Sequence, residues 1–386
     1  MGYNIAMSSM TIAPPTTPPV WIEHPNLFTK VVADLCRHPV VAVDTESNSL
    51  FAYREQVCLI QFSTGENDFL VDPLSLADLS ALEPLFADPT IEKVFHAAEY
   101  DVICLKRDFG FHFANLFDTM VASRILGRTA VGLAGVIEKE FGVALDKRYQ
   151  RANWGARPLA AAMLAYARLD TYYLIDLRQR LKAALEQMNR LALAEEDFRR
   201  LCDISAGPSD PDPSTWLRVA AGQDLTAQQA AILDELCRYR DQRARSVDLP
   251  VFKILSNQML VSIATSCPRT LQDLVHVTGL NGRQLERHAD GLLSAVQRGL
   301  QAPPLHRTAM PRPDERFLNR LDRLKSWRKH TGEDWGVESD VILPRDVMEA
   351  LAHAGPRRPE ELAELMASVP WRLQKFGDQI LSLINR

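Results

Sequence analysis

Val40-Val41-Ala42-Val43-Asp44-Thr45-Glu46 is the stretch on which the reading of this chain turns. Its first four residues form a short apolar run rich in β-branched side chains, the pattern of a buried strand. Asp44 and Glu46 stand at its end. Residues i and i+2 of a strand project to the same side, so both carboxylates open into one cleft. Alone, an acid pair at a strand end is most often a solvated edge, and its weight comes from what the neighbouring segments add.

Outward from this strand, residues 57–63 and 69–71 follow as two more strands. Residues 76–86 have helical spacing, and 93–96 form a strand that runs into a helix over about 98–108. Helices are predicted at 119–126, 133–141 and 159–185. Strands first, then mixed strand and helix, predict an α/β domain built on one mixed sheet. Asp101 lies where a strand hands over to a helix, in the first turn where carboxylates are commonly placed for helix stability alone. Asp118 directly precedes a predicted helix and reads as its N-cap. Tyr166 and Asp170 are four apart on a predicted helix and share one face. Hard divalent cations prefer oxygen ligands, and acids gathered from several elements are how a protein holds them beside a phosphate.

The chain has 386 residues, 46% hydrophobic and 24% charged, which predicts a soluble globular protein of two or three domains. No apolar run approaches the roughly 20 residues of a membrane helix. Residues 1–19 carry no basic-then-apolar signal and read as a disordered leader. The six cysteines, at 36, 58, 104, 202, 237 and 267, form no CxxC pair and predict reduced thiols in a cytoplasmic protein. A net charge of −5 argues against nucleic-acid binding through bulk positive charge, but leaves room for local basic faces around an acidic metal site.

Residues 206–214 (AGPSDPDPS) and the proline-rich 301–313 read as linkers. They divide the chain into domains at 20–205, 215–300 and 314–386. The last two repeat one another. Asp234, Leu236 and Arg240 recur as Asp322, Leu324 and Arg328, an offset of 88 residues that also carries Ile254-Leu255 onto Ile342-Leu343 and Pro268-Arg269 onto Pro356-Arg357. Each copy is short enough to be a compact bundle of a few helices. Arg238, Arg240, Arg243 and Arg245 make a basic cluster in the first copy. Arg312, Arg316, Arg320, Arg323, Lys325, Arg328 and Lys329 make another in the second. Such stripes are usually solvated faces; beside a nuclease they are candidate phosphate contacts.

The segments VAVDTES (41–47), KVFHAAEYDV (93–102), LFDTMVASRILG (116–127), QRANWGARPL (150–159) and YARLD (166–170) resemble the successive motifs of the RNase D branch of the DEDD exonucleases. The tyrosine four residues before the last aspartate is similar to the DEDDy subclass. The duplicated module resembles the HRDC domain, shared with RecQ helicases. An exonuclease domain followed by two such copies is the layout of the bacterial members of that branch. The resemblance implies an α/β RNase H-like (DnaQ-like) exonuclease domain with a mixed sheet, then two all-α helical-bundle HRDC domains.

It also implies roles. Asp44, Glu46 and Asp170 would hold one Mg²⁺ or Mn²⁺ ion, with Asp44 and Asp101 positioning a second. Tyr166 would orient the attacking water, since a phenol of ordinary pKa near 10 is a poor base at neutral pH. Thr45, His96 and Arg151 are candidate substrate contacts; the bland readings are a strand-end core histidine and a solvated loop arginine. Trp154 reads as packing its loop. The expected activity is removal of 3′-terminal nucleotides from RNA, tRNA precursors with 3′ extensions above all, with release of nucleoside 5′-monophosphates. No membrane and no obligate protein partner are implied. The same motifs serve DNA-directed 3′→5′ exonucleases, so that reading competes, as does a non-catalytic RNA-binding protein. Residues 1–205 are expected to fold alone and to contain every catalytic group.

Overall fold

A computed structural model describes residues 15–207, 215–277, 279–306 and 314–385. The expected leader up to residue 14, most of the expected linkers (208–214 and 307–313) and Arg312 lie outside the described residues. The nuclease begins with β1 (Val20–Ile22) and α1 (Pro25–Leu35), then β2 (Val40–Ser47), β3 (Val57–Ser63), β4 (Asp68–Val71), α2 (Glu83–Ala87) and β5 (Glu92–Phe95). It continues with α3 (Glu99–Phe109), β6 (Leu116–Asp118), α4 (Thr119–Ile125), α5 (Leu133–Phe141), α6 (Ala161–Tyr172), α7 (Leu174–Gln187) and α8 (Leu191–Cys202). The sheet runs β1-β4-β3-β2-β5-β6. The β2–β3 and β3–β4 pairs are antiparallel and the rest parallel, so the sheet is mixed, as expected.

Burial on both faces explains why β3 is an almost unbroken apolar run. Phe28, Val31 and Leu35 of α1 and Val102 and Leu105 of α3 cover one face together with Ile60 and Phe62. Ala42, Val94 and Phe117 meet Ile125, Leu177 and Leu181 on the other.

Three expectations are corrected. Residues 76–86 are not one helix: Asp78 accepts the Ser80 amide ahead of a short 3-10 turn, and Pro84, which has no amide to donate, sits in the first turn of α2. Residues 159–185 break into α6 and α7 at the buried Tyr173, so that α6 lies over β3 and β4 while α7 lies over β2 and β5. Residues 15–19 are tied down rather than a free leader, because the Thr17 carbonyl accepts from Arg168. Strands β1 and β6 have three residues each and leave no pattern to detect.

The repeat is realised helix by helix. The first copy contains α9 (Thr215–Val219), α10 (Ala227–Val247), α11 (Val251–Ile254), α12 (Asn257–Ser266), α13 (Leu271–Val275) and α14 (Gly282–Gln301). The second contains α15 (Glu315–Trp335), α16 (Ser339–Ile342), α17 (Arg345–Ala354), α18 (Pro359–Leu365) and α19 (Pro370–Ile384). Every start from Ala227 to Gly282 recurs 88 positions later, from Glu315 to Pro370. Equivalent arginines play equivalent parts: Arg240 donates to the Leu255 carbonyl at 3.0 Å and Arg328 to the Leu343 carbonyl at 2.9 Å. Arg320 and Arg323 likewise donate to the carbonyls of Ala352 and Leu383. These four arginines of the expected basic stripes therefore tie helices together, and Arg240 is only 4% exposed.

Packing does not follow the linkers. Among the described residues, one compact unit comprises those within 15–47, 57–207 and 314–385; the other comprises those within 48–56 and 215–306. The nuclease and the second copy thus share a unit, where residues 1–205 were expected to fold alone. Val341 is buried in the nuclease cluster of Phe117, Leu177 and Phe198, and Arg190 donates to the Trp335 carbonyl at 2.8 Å. Arg124 pairs with Glu338 and Asp340, each at 2.6 Å. Arg372, 0% exposed, meets Glu196 at 2.5 Å and Asp197 at 2.8 Å. In the other unit, the tip of the β2–β3 connection packs on the first copy: the Tyr53 hydroxyl donates to Asp241 at 2.7 Å and its amide to Asp248 at 3.0 Å.

Candidate active site

Three elements deliver the five expected residues. Asp44 and Glu46 leave the end of β2, where the pairing with β3 shifts register between Glu46 and Ser47. Asp101 stands in the first turn of α3, and Tyr166 and Asp170 stand on α6, which packs on β2, β3 and β4. The turn from β5 into α3 is backbone that a non-glycine residue rarely adopts, with Ala97 at φ +62°. Asp118 holds it. Its carboxylate accepts the amides of Ala97 (3.2 Å) and Ala98 (2.7 Å) as well as those of Met120 (2.7 Å) and Val121 (3.0 Å). The expected helix N-cap is thus also the clamp that aims Asp101, a second duty invisible from its position before a helix.

The carboxylates act on one another. Burial pushes Asp44 well above the ordinary carboxylate range, and the charges of Asp101, Asp170 and Glu46 push it further. Glu46 is raised to about 9 by burial and then by Asp170 and Asp101. Burial raises Asp101 to about 7, against the pull of a hydrogen bond from Thr45, and raises Asp170 to about 7 as well. Four acids that cannot all ionise together are a site short of positive charge. Their donor set is all oxygen, which fits a hard divalent cation. Among the described residues no three His, Cys, Asp or Glu side chains already stand in ligating positions around one point.

Thr45, an expected substrate contact, donates its hydroxyl to Asp101 and orients that carboxylate. The Tyr166 phenol is raised above its ordinary value by burial and by Asp170, Glu46 and Asp44, so it keeps its proton. Its ring is braced by Tyr149 at 5.7 Å and Trp154 at 6.2 Å, and Trp154 is buried, as its packing reading anticipated. The Thr119 hydroxyl donates to the Phe95 carbonyl at 3.0 Å, so His96 Nδ1, 2.8 Å away, is the donor to that hydroxyl and Nε2 is left as an acceptor. Burial lowers the His96 pKa and keeps the ring neutral. Arg151 is exposed and forms no hydrogen bond or ion pair with any of the acids among the described residues. Sequence reasoning missed Arg168, which anchors α6 through Asp68 at 2.5 Å; Asp68 also accepts from Ser63 at 2.6 Å.

A mixed sheet with acids at the end of its central strand, answered by a Tyr and an Asp on the covering helix, is the architecture of a 3′–5′ exonuclease. The family model described as 3′-5′ exonuclease matches residues 19–186, and the HRDC domain model matches 229–296 and 317–384. The chain is 32% identical to Escherichia coli (strain K12) Ribonuclease D over 92% of this chain and 96% of that protein. It belongs to the ribonuclease D family. The crystal structure of Escherichia coli RNase D, described as an exoribonuclease involved in structured RNA processing, superposes with a TM-score of 0.71 at 26% identity, covering 96% of this chain and 99% of that one. The exosome complex exonuclease RRP6 of Saccharomyces cerevisiae is 30% identical over 73% of this chain. The chain spans 31–43% of the length of the RRP6-type relatives it matches. The exonuclease domain of this family is metal-dependent.

Proposed function

We propose that the protein is a 3′→5′ exoribonuclease that removes terminal nucleotides from RNA, tRNA precursors with 3′ extensions among them, and releases nucleoside 5′-monophosphates in the cytoplasm. The single observation behind this reading is the convergence of Asp44, Glu46, Asp101 and Asp170, each driven up in pKa by burial, on the helix face that carries Tyr166. These four acids would hold two divalent ions, Mg²⁺ or Mn²⁺. Such a pair supplies the charge that makes a bound water nucleophilic and stabilises the departing 3′ oxygen.

The chain does the rest by placement. Thr45 and Asp118 set the direction of Asp101 before any ligand arrives. The Tyr166 hydroxyl, protonated throughout the neutral range and braced by two aromatic rings, orients the attacking water by a hydrogen bond. His96 Nε2 is an acceptor suited to a ribose hydroxyl of the terminal nucleotide. Arg151, exposed in its turn, is available to a phosphate. The remaining exposed cations of the helical copies, such as Arg316 and Lys325, contribute affinity through phosphates without reading sequence.

The experiment is hydrolysis of matched RNA and DNA oligonucleotides, and of a 3′-extended tRNA, with Mg²⁺ and with chelator. Chelation is expected to stop release of 5′-monophosphates and Mg²⁺ or Mn²⁺ to restore it. Asp44→Asn is expected to keep the wild-type circular dichroism spectrum and lose turnover about 10²- to 10³-fold, on the order of a lost charge-stabilising group in a dry site. A folded Asp44→Asn protein with near-wild-type turnover would refute the assignment, and preference for DNA over RNA would refute the substrate class.

A further inference from the structure

Gln61 lies in the middle of β3 with no exposed surface, and neither atom of its carboxamide makes a hydrogen bond. A buried amide left unpaired is costly, and a strand built only to pack would carry an aliphatic residue there. The sheet register says where the amide's partner must be sought. Gln61 is directly opposite Asp44 on β2 and directly opposite Leu70 on β4. Residues opposite one another in an antiparallel pair share a face, with Cβ atoms about 4.5–5.5 Å apart. Two residues along the same face, Ser63 is already satisfied by Asp68, which also takes Arg168. On the α6 side the neighbours are the cluster of Leu59, Leu70, Trp154 and Ala167, whose polar atom, the unpaired Trp154 Nε1, can only donate and so cannot take the amide's N–H. Across the row, Leu70 offers nothing polar and Asp44 offers a carboxylate.

We propose that Gln61 is a positioning residue of the active centre: its side-chain N–H is the donor that holds Asp44 in the orientation needed to ligate a divalent cation. The inference rests on the metal-dependent reading above and adds to it the group that fixes the central ligand. The residue type suits the task. A glutamate at this position would add a fifth negative charge, and a lysine would compete with the cation, whereas a neutral donor orients the carboxylate and leaves its charge to the metal. Partners that orient metal ligands from behind typically change affinity or activity 10- to 100-fold when removed.

The test uses Gln61→Leu and Gln61→Met in the full chain, both close to glutamine in volume and without polar reach. Mg²⁺ affinity by calorimetry is expected to fall about 10- to 100-fold. In subsaturating Mg²⁺, kcat is expected to fall in parallel while KM for an RNA oligonucleotide stays near wild type. Thermal stability is expected to hold or rise, because an unpaired amide has been removed. A purely structural glutamine would move neither Mg²⁺ affinity nor kcat. Should both variants fail to fold, the wild-type protein still decides: the Gln61 side-chain amide resonance is expected to shift on Mg²⁺ titration with the midpoint measured by calorimetry. Variants with wild-type Mg²⁺ affinity and kcat, or an amide resonance that ignores Mg²⁺, overturn the inference while wild-type hydrolysis leaves the proposed function standing. A wild-type chain that neither binds Mg²⁺ nor cleaves RNA overturns both.

Discussion

Replacing Arg372 with leucine probes the join between the nuclease and the second helical copy. The guanidinium reaches Glu196 at 2.5 Å, both oxygens of Asp197 at 2.8 and 2.9 Å, and the Val341 carbonyl at 2.8 Å. Both Arg372 and Glu196 are essentially inaccessible, at 0% and 1% exposure. Leucine fills part of the volume but strands the Glu196 charge, which keeps only the amides of Trp371 and Arg372 as donors. Removing one partner of a buried pair costs about 3–5 kcal/mol. At roughly 2–4 °C per kcal/mol for a domain of 150–250 residues, the melting temperature of this unit should fall by roughly 6–20 °C. The double variant Arg372→Leu/Glu196→Leu removes both buried charges and should recover much of that loss, since apolar replacements of a buried pair are often neutral. The assay is a melt followed by circular dichroism and, in parallel, by residual RNA hydrolysis after heating. Both signals should shift together, because nuclease and second copy share one unit. An Arg372→Leu protein that melts within about 1 °C of wild type, or a double variant worse than the single, would refute the reasoning.

Two further outcomes follow from the site. Tyr166→Phe is expected to lower kcat by roughly 10²-fold or more, the scale of a positioned catalytic proton group, with RNA affinity and Mg²⁺ binding near wild type; an unchanged rate would reduce the tyrosine to packing. Divalent affinity is expected to depend on pH with a definite sign. Asp101 and Asp170 titrate near 7 and Glu46 near 9, all raised, so below those values they hold protons that a cation must displace. Affinity should therefore climb from pH 6 to about 9 with proton release on binding, and calorimetry showing a flat response from pH 6 to 8 would contradict it.

The sequence made the acids legible because they sit at recognisable places: a strand end, a strand-to-helix turn and an i, i+4 pair. The constant offset between the two copies was legible for the same reason, and it carried over to the start of each of five helices. Gln61 was hidden because it occurs inside VCLIQFS, where only the strand register reveals that it faces Asp44. Arg372 reads as an ordinary helix arginine, and its partner Glu196 is 176 residues away. Arg240, Arg320, Arg323 and Arg328 read as a solvent stripe because arginine is rarely buried, yet all four donate to backbone carbonyls. Local pattern carries periodicity and punctuation; it does not carry which distant surface a long polar side chain will meet.

The buried join has a consequence for how the chain is made. At about 5–20 residues per second, the 176 residues that separate Glu196 from Arg372 take roughly 9–35 s to synthesise. For that interval the emerging nuclease holds Glu196 without its cation, and the apolar side chains of α7 and α8 wait for Val341 and Trp371. The unit that contains the first helical copy, encoded in between, is complete before the unit that contains the nuclease. The stretch that carries Val341 and Arg372 therefore closes a domain begun long before it, and a polypeptide cut short ahead of that stretch would release the earlier-made nuclease with an open apolar face, a substrate for chaperones and proteases.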